Sequence, residues 1–152
     1  KNAVNYMWGD RVDATIFTFK DNKVSEKDAR KFVEKINKKG YNHDFSKIET
    51  MISKLTKDSA AVEYKYDKFS KADNKFVDQI IWQEGVANTL KDGNNLVIIL
   101  VNKKLNPEQK TLTEAKGVVT ADYQNFLEKE WLKSLRQKYT YTINKEVYNS
   151  IK

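Results

Sequence analysis

The sequence predicts an α+β protein, in which helices flank a small antiparallel or mixed sheet and a long amphipathic helix closes the chain. Two observations predict this class. Segments with alternating or unbroken apolar residues, which are typical of strands, are interleaved with segments that have apolar residues at helical spacing. The last of the helical segments is much longer than the others. The 152 residues are 39% hydrophobic and 32% charged, a balance that lets one sizeable core form. We therefore expect one domain with an appendage.

The first half of the chain contains two strand signals and two helix signals. Residues 11–19 alternate apolar and polar types and are rich in β-branched and aromatic residues, so they predict a strand. A Ser-x-x-Asp capping signature precedes a predicted helix over about 26–38, and Gly40 ends it. Apolar residues at helical spacing predict a second helix over about 45–56. Residues 61–67 alternate again, which predicts a strand with one exposed face.

The segment between this strand and the closing helix contains turn signals and one strand. Residues 76–82, FVDQIIW, predict a short apolar helix or turn. The unbroken apolar run 96–101 predicts a central strand that is covered on both faces.

The closing segment has the most regular pattern. A capping box of Thr111 and Glu114 starts a predicted amphipathic helix over about 112–138. Such a helix is about 40 Å long, so we expect part of its apolar stripe to project beyond the core. Residues 140–144, TYTIN, predict a short strand, and residues 145–151 predict one last helical turn.

Composition excludes several kinds of chemistry. The chain has no cysteine and one histidine, so we expect no disulfide, no metal and no cofactor. That histidine, His43, is interpreted as a solvated loop residue rather than a lone acid–base group. No glycine-rich phosphate loop occurs, and carboxylates at i and i+2 on the helices, such as Glu128 and Glu130, point away from each other.

Charge and hydropathy limit the choice of partners. The net charge of +7 suggests acidic partners such as nucleic acid, but the lysines are dispersed, and nucleic-acid binding is kept only as an alternative that we do not expect. The longest apolar run is too short to cross a bilayer, so no membrane insertion is expected. No signal peptide is visible at the start, and we interpret the sequence as a fragment of a longer protein.

Three segments in chain order carry a resemblance to a known family. The segments DATIF, YDKF and NLVIILV stand where a parvulin-type (PpiC-like) peptidyl-prolyl isomerase domain has its first strand, its G-x-F element and its last strand. The flanks NYMWGDRVDA and TLTEAKGVVTADYQNFLEKEWLKSLRQKYTYTIN resemble those of SurA-like periplasmic chaperones. The resemblance covers essentially the whole chain. It implies an entry segment over 1–10, a parvulin-like domain over 11–106, and a carboxyl-terminal helix with a short strand over 107–152.

The resemblance also implies site residues. Aligned on the flanking apolar residues, the two family histidines fall at Thr15 and Val97, so this domain is expected to lack a catalytic residue set of its own. The candidate polypeptide-binding residues are the following aromatic side chains: Phe69, Phe76, Trp82, Tyr123, Phe126 and Trp131. The alternative for the first three is core packing. The alternative for the helix is docking onto its own domain or onto a missing amino-terminal part of the same chain.

The expected function is therefore that of a SurA-like isomerase or chaperone in the periplasm. The expected partners are unfolded or extended polypeptides, outer-membrane proteins among them, and this domain is expected to bind them without isomerase activity. Two alternatives remain open, an active parvulin-type prolyl isomerase and a basic nucleic-acid-binding domain.

Overall fold

The computed structural model describes residues 6–21, 23–139 and 142–151. The chain divides into two compact units, Trp8–Glu108 and a second unit formed by Lys1–Met7 with Gln109–Lys152. The architecture is α+β, with antiparallel sheets, flanking helices and a long carboxyl-terminal helix, which confirms the predicted fold class.

The unit Trp8–Glu108 is built on a five-stranded antiparallel sheet. Its strand order is β3-β2-β6-β4, and β5 also pairs with β6. The bounds are β2 Arg11–Phe19, β3 Val62–Ser70, β4 Gly85–Val86, β5 Leu90–Asp92 and β6 Asn95–Leu105, while β1 (Met7–Trp8) and β7 (Glu108–Gln109) form a small ladder of their own. Because β2 and β6 lie side by side inside the sheet, both are buried on both faces.

Two helices cover one face of this sheet. They are α1 (Glu26–Lys39) and α2 (Phe45–Leu55), close to the predicted bounds. The Ser25 hydroxyl accepts the Asp28 N–H at the start of α1, and Gly40 ends the helix in the left-handed region at φ 66°. Phe17 and Phe19 of β2 meet Phe32 of α1 edge to face, with ring centroids 5.9 and 6.0 Å apart.

An irregular segment covers the opposite face. Its side chains pack on the second core cluster, which consists of Val12, Ala14, Ile16, Phe69, Val77, Val97, Ile99 and Val101. Of the short helix or turn predicted over 76–82, the structure forms a turn, with one 3-10 turn at Val77–Gln79. The Asn74 carboxamide accepts the N–H groups of Phe76 and Val77, the chain is extended at Ile80, and the Gln83 N–H donates to the Ile81 carbonyl at 2.8 Å in a tight turn. Trp82 packs against the second core cluster, whereas Ile81 is exposed to solvent.

The second unit contains the long helix α3 (Leu112–Lys138), as predicted. Thr111 and Glu114 form both halves of the capping box. A short helix, α4 (Lys145–Ser150), follows, and the Asn144 side chain caps it. Of the strand predicted over 140–144, the first two residues lie outside the described residues. Residues 142–144 do not form a strand, and the Asn144 side chain caps α4.

Candidate functional site

The two positions aligned with family histidines lie on opposite faces of the sheet. Thr15 stands across from Leu100, and Val97 stands across from Thr18. Directly opposite residues share a face, and neighbouring residues of a strand alternate between faces. Thr15 is therefore on the face covered by α1 and α2, and Val97 is on the other. No pocket on this sheet can contain both side chains.

The face that carries Val97 has no imidazole. Its nearest β2 neighbours are Thr18 and Ile16, and the chain's single histidine is His43, which precedes α2 on the other side of the sheet. The pair of family histidines is therefore missing on this face, whichever residue of β2 is aligned with the first histidine.

The structure brings three of the candidate polypeptide-binding residues together. Phe69 is buried in the second core cluster, and Phe76 and Trp82 are half-buried against it. The Trp82 Nε1–H donates to the Val77 carbonyl at 3.0 Å, which holds the indole in place. Phe69 is thus a core residue, while Phe76 and Trp82 each retain an accessible edge.

Trp82 also lines a cleft of about 770 Å³. The lining residues are Gly9, Asp10, Ser70, Lys71, Asp78, Ile80, Trp82 and Pro107. A volume of this size is typical of sites that take a small ligand or a few side chains of an extended segment. The apolar wall of Ile80, Trp82 and Pro107, with charged groups beside it, suits an amphipathic segment.

The other three candidates lie on α3. Tyr123, Phe126 and Trp131 are each more than half exposed. Tyr123 and Phe126 stack with ring centroids 6.5 Å apart. Trp131 is eight residues beyond Tyr123, which places it about 80° further around the helix. The structure therefore pairs the first two and separates Trp131 from them.

Exposed apolar side chains continue along α3. Those with at least a third of their surface exposed are Leu112, Val119, Tyr123, Phe126, Leu127, Trp131 and Leu132. Ala115 is the buried residue of this helix within the described part of the chain. The predicted amphipathic stripe is thus present as an open apolar surface on one face of the helix, and Trp131 and Leu132 extend it further around. Contiguous surfaces of this kind mark interaction sites.

A polar cluster around Asp13 was not predicted. Asp13 is 8% exposed, and its carboxylate accepts hydrogen bonds from the Tyr66 hydroxyl at 3.0 Å and the Asn102 amide at 2.7 Å. The His43 Nε2 lies 3.2 Å from the same carboxylate. Tyr66 and His43 also meet edge to face, with ring centroids 4.9 Å apart. The cluster links β2, β3, β6 and the loop before α2.

His43 is a solvated loop residue, as interpreted, but it is not isolated. Its side chain is 55% exposed, but the ring has three neighbours in the Asp13 cluster. Burial, followed by the hydrogen bond to Asp13, raises the pKa of Tyr66 above its ordinary value. In the sequence, Asp13 and Thr15 are polar residues placed between apolar residues of a predicted strand. Their position was a signal of a polar cluster that sequence reasoning could have used.

Comparisons with known proteins give one likeness. No family model and no curated protein matches the chain. The chain is similar to one chain of a solved structure. That structure is described as showing two structurally related SurA-like chaperones of Campylobacter jejuni, the virulence factor PEB4 and the periplasmic protein Cj1289. The identity is 14% and the TM-score 0.39, over 93% of this chain and 60% of that chain. A TM-score below 0.5 does not establish a common fold, so the conclusions below rest on the residues of this chain.

Among the described residues, no helix is both long and apolar enough to cross a bilayer.

Proposed function

We propose that this chain binds unfolded or extended polypeptides as part of a SurA-like chaperone that assists the folding of envelope proteins in the periplasm. The clients include outer-membrane proteins, and the domain binds them without isomerase activity. The observation that carries the proposal is the open aromatic and aliphatic surface of α3, centred on the stacked pair Tyr123 and Phe126.

The chemistry of this surface fits a client without a fixed structure. Tyrosine, phenylalanine and tryptophan offer large contact areas at a small loss of side-chain entropy. Five of these side chains fall within about 100° around α3, and Trp131 and Leu132 lie further around it, so the surface is broader than the narrow seam that pairs with one partner helix. An extended segment can follow such a surface and place alternate side chains on it.

The cleft beside Trp82 supports the same function from the other unit. Its apolar wall accepts aromatic or aliphatic side chains, and Lys71, Asp78 and Asp10 can bind polar neighbours of the same segment. The sheet face of Val97 carries no imidazole, so we assign this domain binding without the two histidines of the isomerase family.

The test measures suppression of aggregation. An outer-membrane protein unfolded in urea is diluted into buffer with and without the full chain, and light scattering is followed. We expect the wild-type chain to reduce scattering at a few-fold molar excess. The triple variant Tyr123→Ala, Phe126→Ala, Trp131→Ala should lose most of this effect, because each change removes an exposed aromatic contact.

A matched control comes from α4. Tyr148 is 60% exposed, as is Tyr123, but it lies outside α3. Tyr148→Ala should therefore leave the suppression unchanged. If the wild-type chain does not reduce light scattering, or if the triple variant reduces it as much as the wild type does, the proposal is wrong.

A further inference from the structure

We propose that β3 is a self-pairing edge, through which two copies of this chain join their sheets in antiparallel orientation with Tyr64 opposite Tyr64. Within the described residues, β3 pairs with β2 alone and has no strand on its other side. Unpaired strand edges are templates for the addition of another strand. This inference goes beyond polypeptide binding and does not depend on it.

The register of the sheet shows which backbone groups of β3 face outward. The Lys20 N–H donates to the Ala61 carbonyl at 2.8 Å, one step beyond the last β2–β3 pair of Phe19 and Val62. In an antiparallel pair, hydrogen-bonded and non-bonded residue pairs alternate. Odd-numbered residues of β3 therefore bond to β2, and even-numbered residues direct their N–H and C=O groups outward.

The outward edge is closed at its carboxyl-terminal end. The Asp67 carboxylate accepts the Lys68 N–H at 2.8 Å, and the Asp73 carboxylate accepts the Ser70 N–H at 2.6 Å. Among the described residues, the outward backbone groups of Tyr64 and Tyr66 form no such bond. The open part of the edge therefore runs from Val62 to Tyr66.

This open part is symmetric about Tyr64. A two-fold axis at that residue places the two Tyr64 residues opposite each other and Tyr66 opposite Val62 of the other copy. Each Tyr64 N–H can then donate to the other copy's Tyr64 carbonyl, and each Tyr66 N–H can donate to the other copy's Val62 carbonyl. The closed positions at Lys68 and Ser70 stay outside the pairing.

Charge complementarity favours a second copy as the occupant. In this register, Glu63 of each copy stands directly across from Lys65 of the other, and both side chains are exposed on the same face. Glu63 pairs with Lys20, whereas Lys65 forms no ion pair within the described part of the chain. Opposite charges directly across a ladder are favourable. An axis moved to Lys65 would oppose two lysines and set Glu63 against Asp67.

The other face of the same strand supplies apolar contact. Phe45 of α2 is 41% exposed and stacks on Tyr64 with ring centroids 5.9 Å apart. Pairing about Tyr64 brings this aromatic pair of one copy towards that of the other. The edge thus has aromatic groups on one face and complementary charges on the other.

The test is sedimentation velocity of the full chain at about 10–500 µM, where interfaces of modest size dissociate measurably. We expect concentration-dependent dimerisation of the wild type. Lys65→Glu and Glu63→Lys each oppose like charges, and each should weaken the dimer at least about tenfold. An equimolar mixture of the two variants sets a doubly basic edge against a doubly acidic one, so it should dimerise again.

A matched control reverses a charge elsewhere. Lys27→Glu on α1, a helix that packs mainly on β6 and β4, should dimerise like the wild type. Circular dichroism confirms that each variant is folded. A wild type that stays monomeric up to about 500 µM overturns the proposal. So does a dimer that Lys65→Glu leaves intact, or a mixture that remains monomeric. Since no client is present, failure here is distinct from failure of the proposed function.

Discussion

The replacement of Tyr66 by phenylalanine tests whether the Asp13 cluster stabilises the unit Trp8–Glu108. The change deletes one hydroxyl group, which donates to the Asp13 carboxylate at 3.0 Å, and it retains the ring that contacts His43 and Phe45. A hydrogen bond to a charged group contributes about 1.5–3 kcal/mol to stability. Asn102 and His43 still hold the carboxylate, so we expect a loss of about 1–2 kcal/mol in the free energy of unfolding.

Tyr64→Phe is the matched control. This tyrosine lies on the same strand and also contacts Phe45, but its hydroxyl bonds to the exposed Glu49 at 3.2 Å. We expect a loss of about 0.5 kcal/mol or less, because solvent replaces an exposed bond readily.

Urea denaturation followed by circular dichroism measures both variants. A loss of 1–2 kcal/mol moves the midpoint by about 0.5–1 M. If Tyr66→Phe is no less stable than Tyr64→Phe, the cluster is a surface arrangement without a role in stability, and the reasoning from burial is wrong.

Three further predictions follow from the structure. Burial and hydrogen bonds to carboxylates raise the pKa of both Tyr64 and Tyr66. Their contribution to stability is therefore fully present below about pH 10 and is lost as the pH rises through the folded-state pKa. Urea titrations at several pH values should show a free energy of unfolding that declines above about pH 10, and the decline should be shallower for Tyr66→Phe. Gly40→Ala should lower the free energy of unfolding by about 1 kcal/mol, because alanine disfavours the left-handed φ of 66°. An unchanged melting temperature in thermal unfolding would contradict this prediction. The chain should not accelerate the cis–trans exchange of an X-Pro test peptide, since no imidazole lies on the face of Val97, and acceleration above the uncatalysed rate would contradict the account of that face.

Local signals predicted the helices well. The capping residues of α1 and α3 form hydrogen bonds with backbone groups three positions away, so sequence spacing alone reveals them. The apolar run of β6 likewise indicated a strand covered on both faces, and the structure confirms it. The segment over 76–82 was harder, because its apolar pattern suits a helix and an irregular covering segment equally.

The candidate sites were less accessible to sequence reasoning. The alignment that placed two histidine positions at Thr15 and Val97 contained no information on which face each residue occupies, and the register of β2 with β6 puts them on opposite faces. The Asp13 cluster joins residues 30 to 89 positions apart, a separation that no local pattern reports. The aromatics of α3 were chosen from an apolar pattern in the sequence, whereas their exposure is a property of the folded chain.

The sequence by itself determined the α+β class, the helix bounds and the lack of cysteine and of a second histidine, because these depend on composition and on hydrogen bonds within one turn. Tertiary structure decided which side chains meet: the partners of Asp13, the cleft at Trp82 and the open edge at Tyr64. The physical reason lies in strand pairing. The faces and edges of a sheet depend on which residues of distant strands stand opposite each other, and a shift of one residue would exchange the two faces.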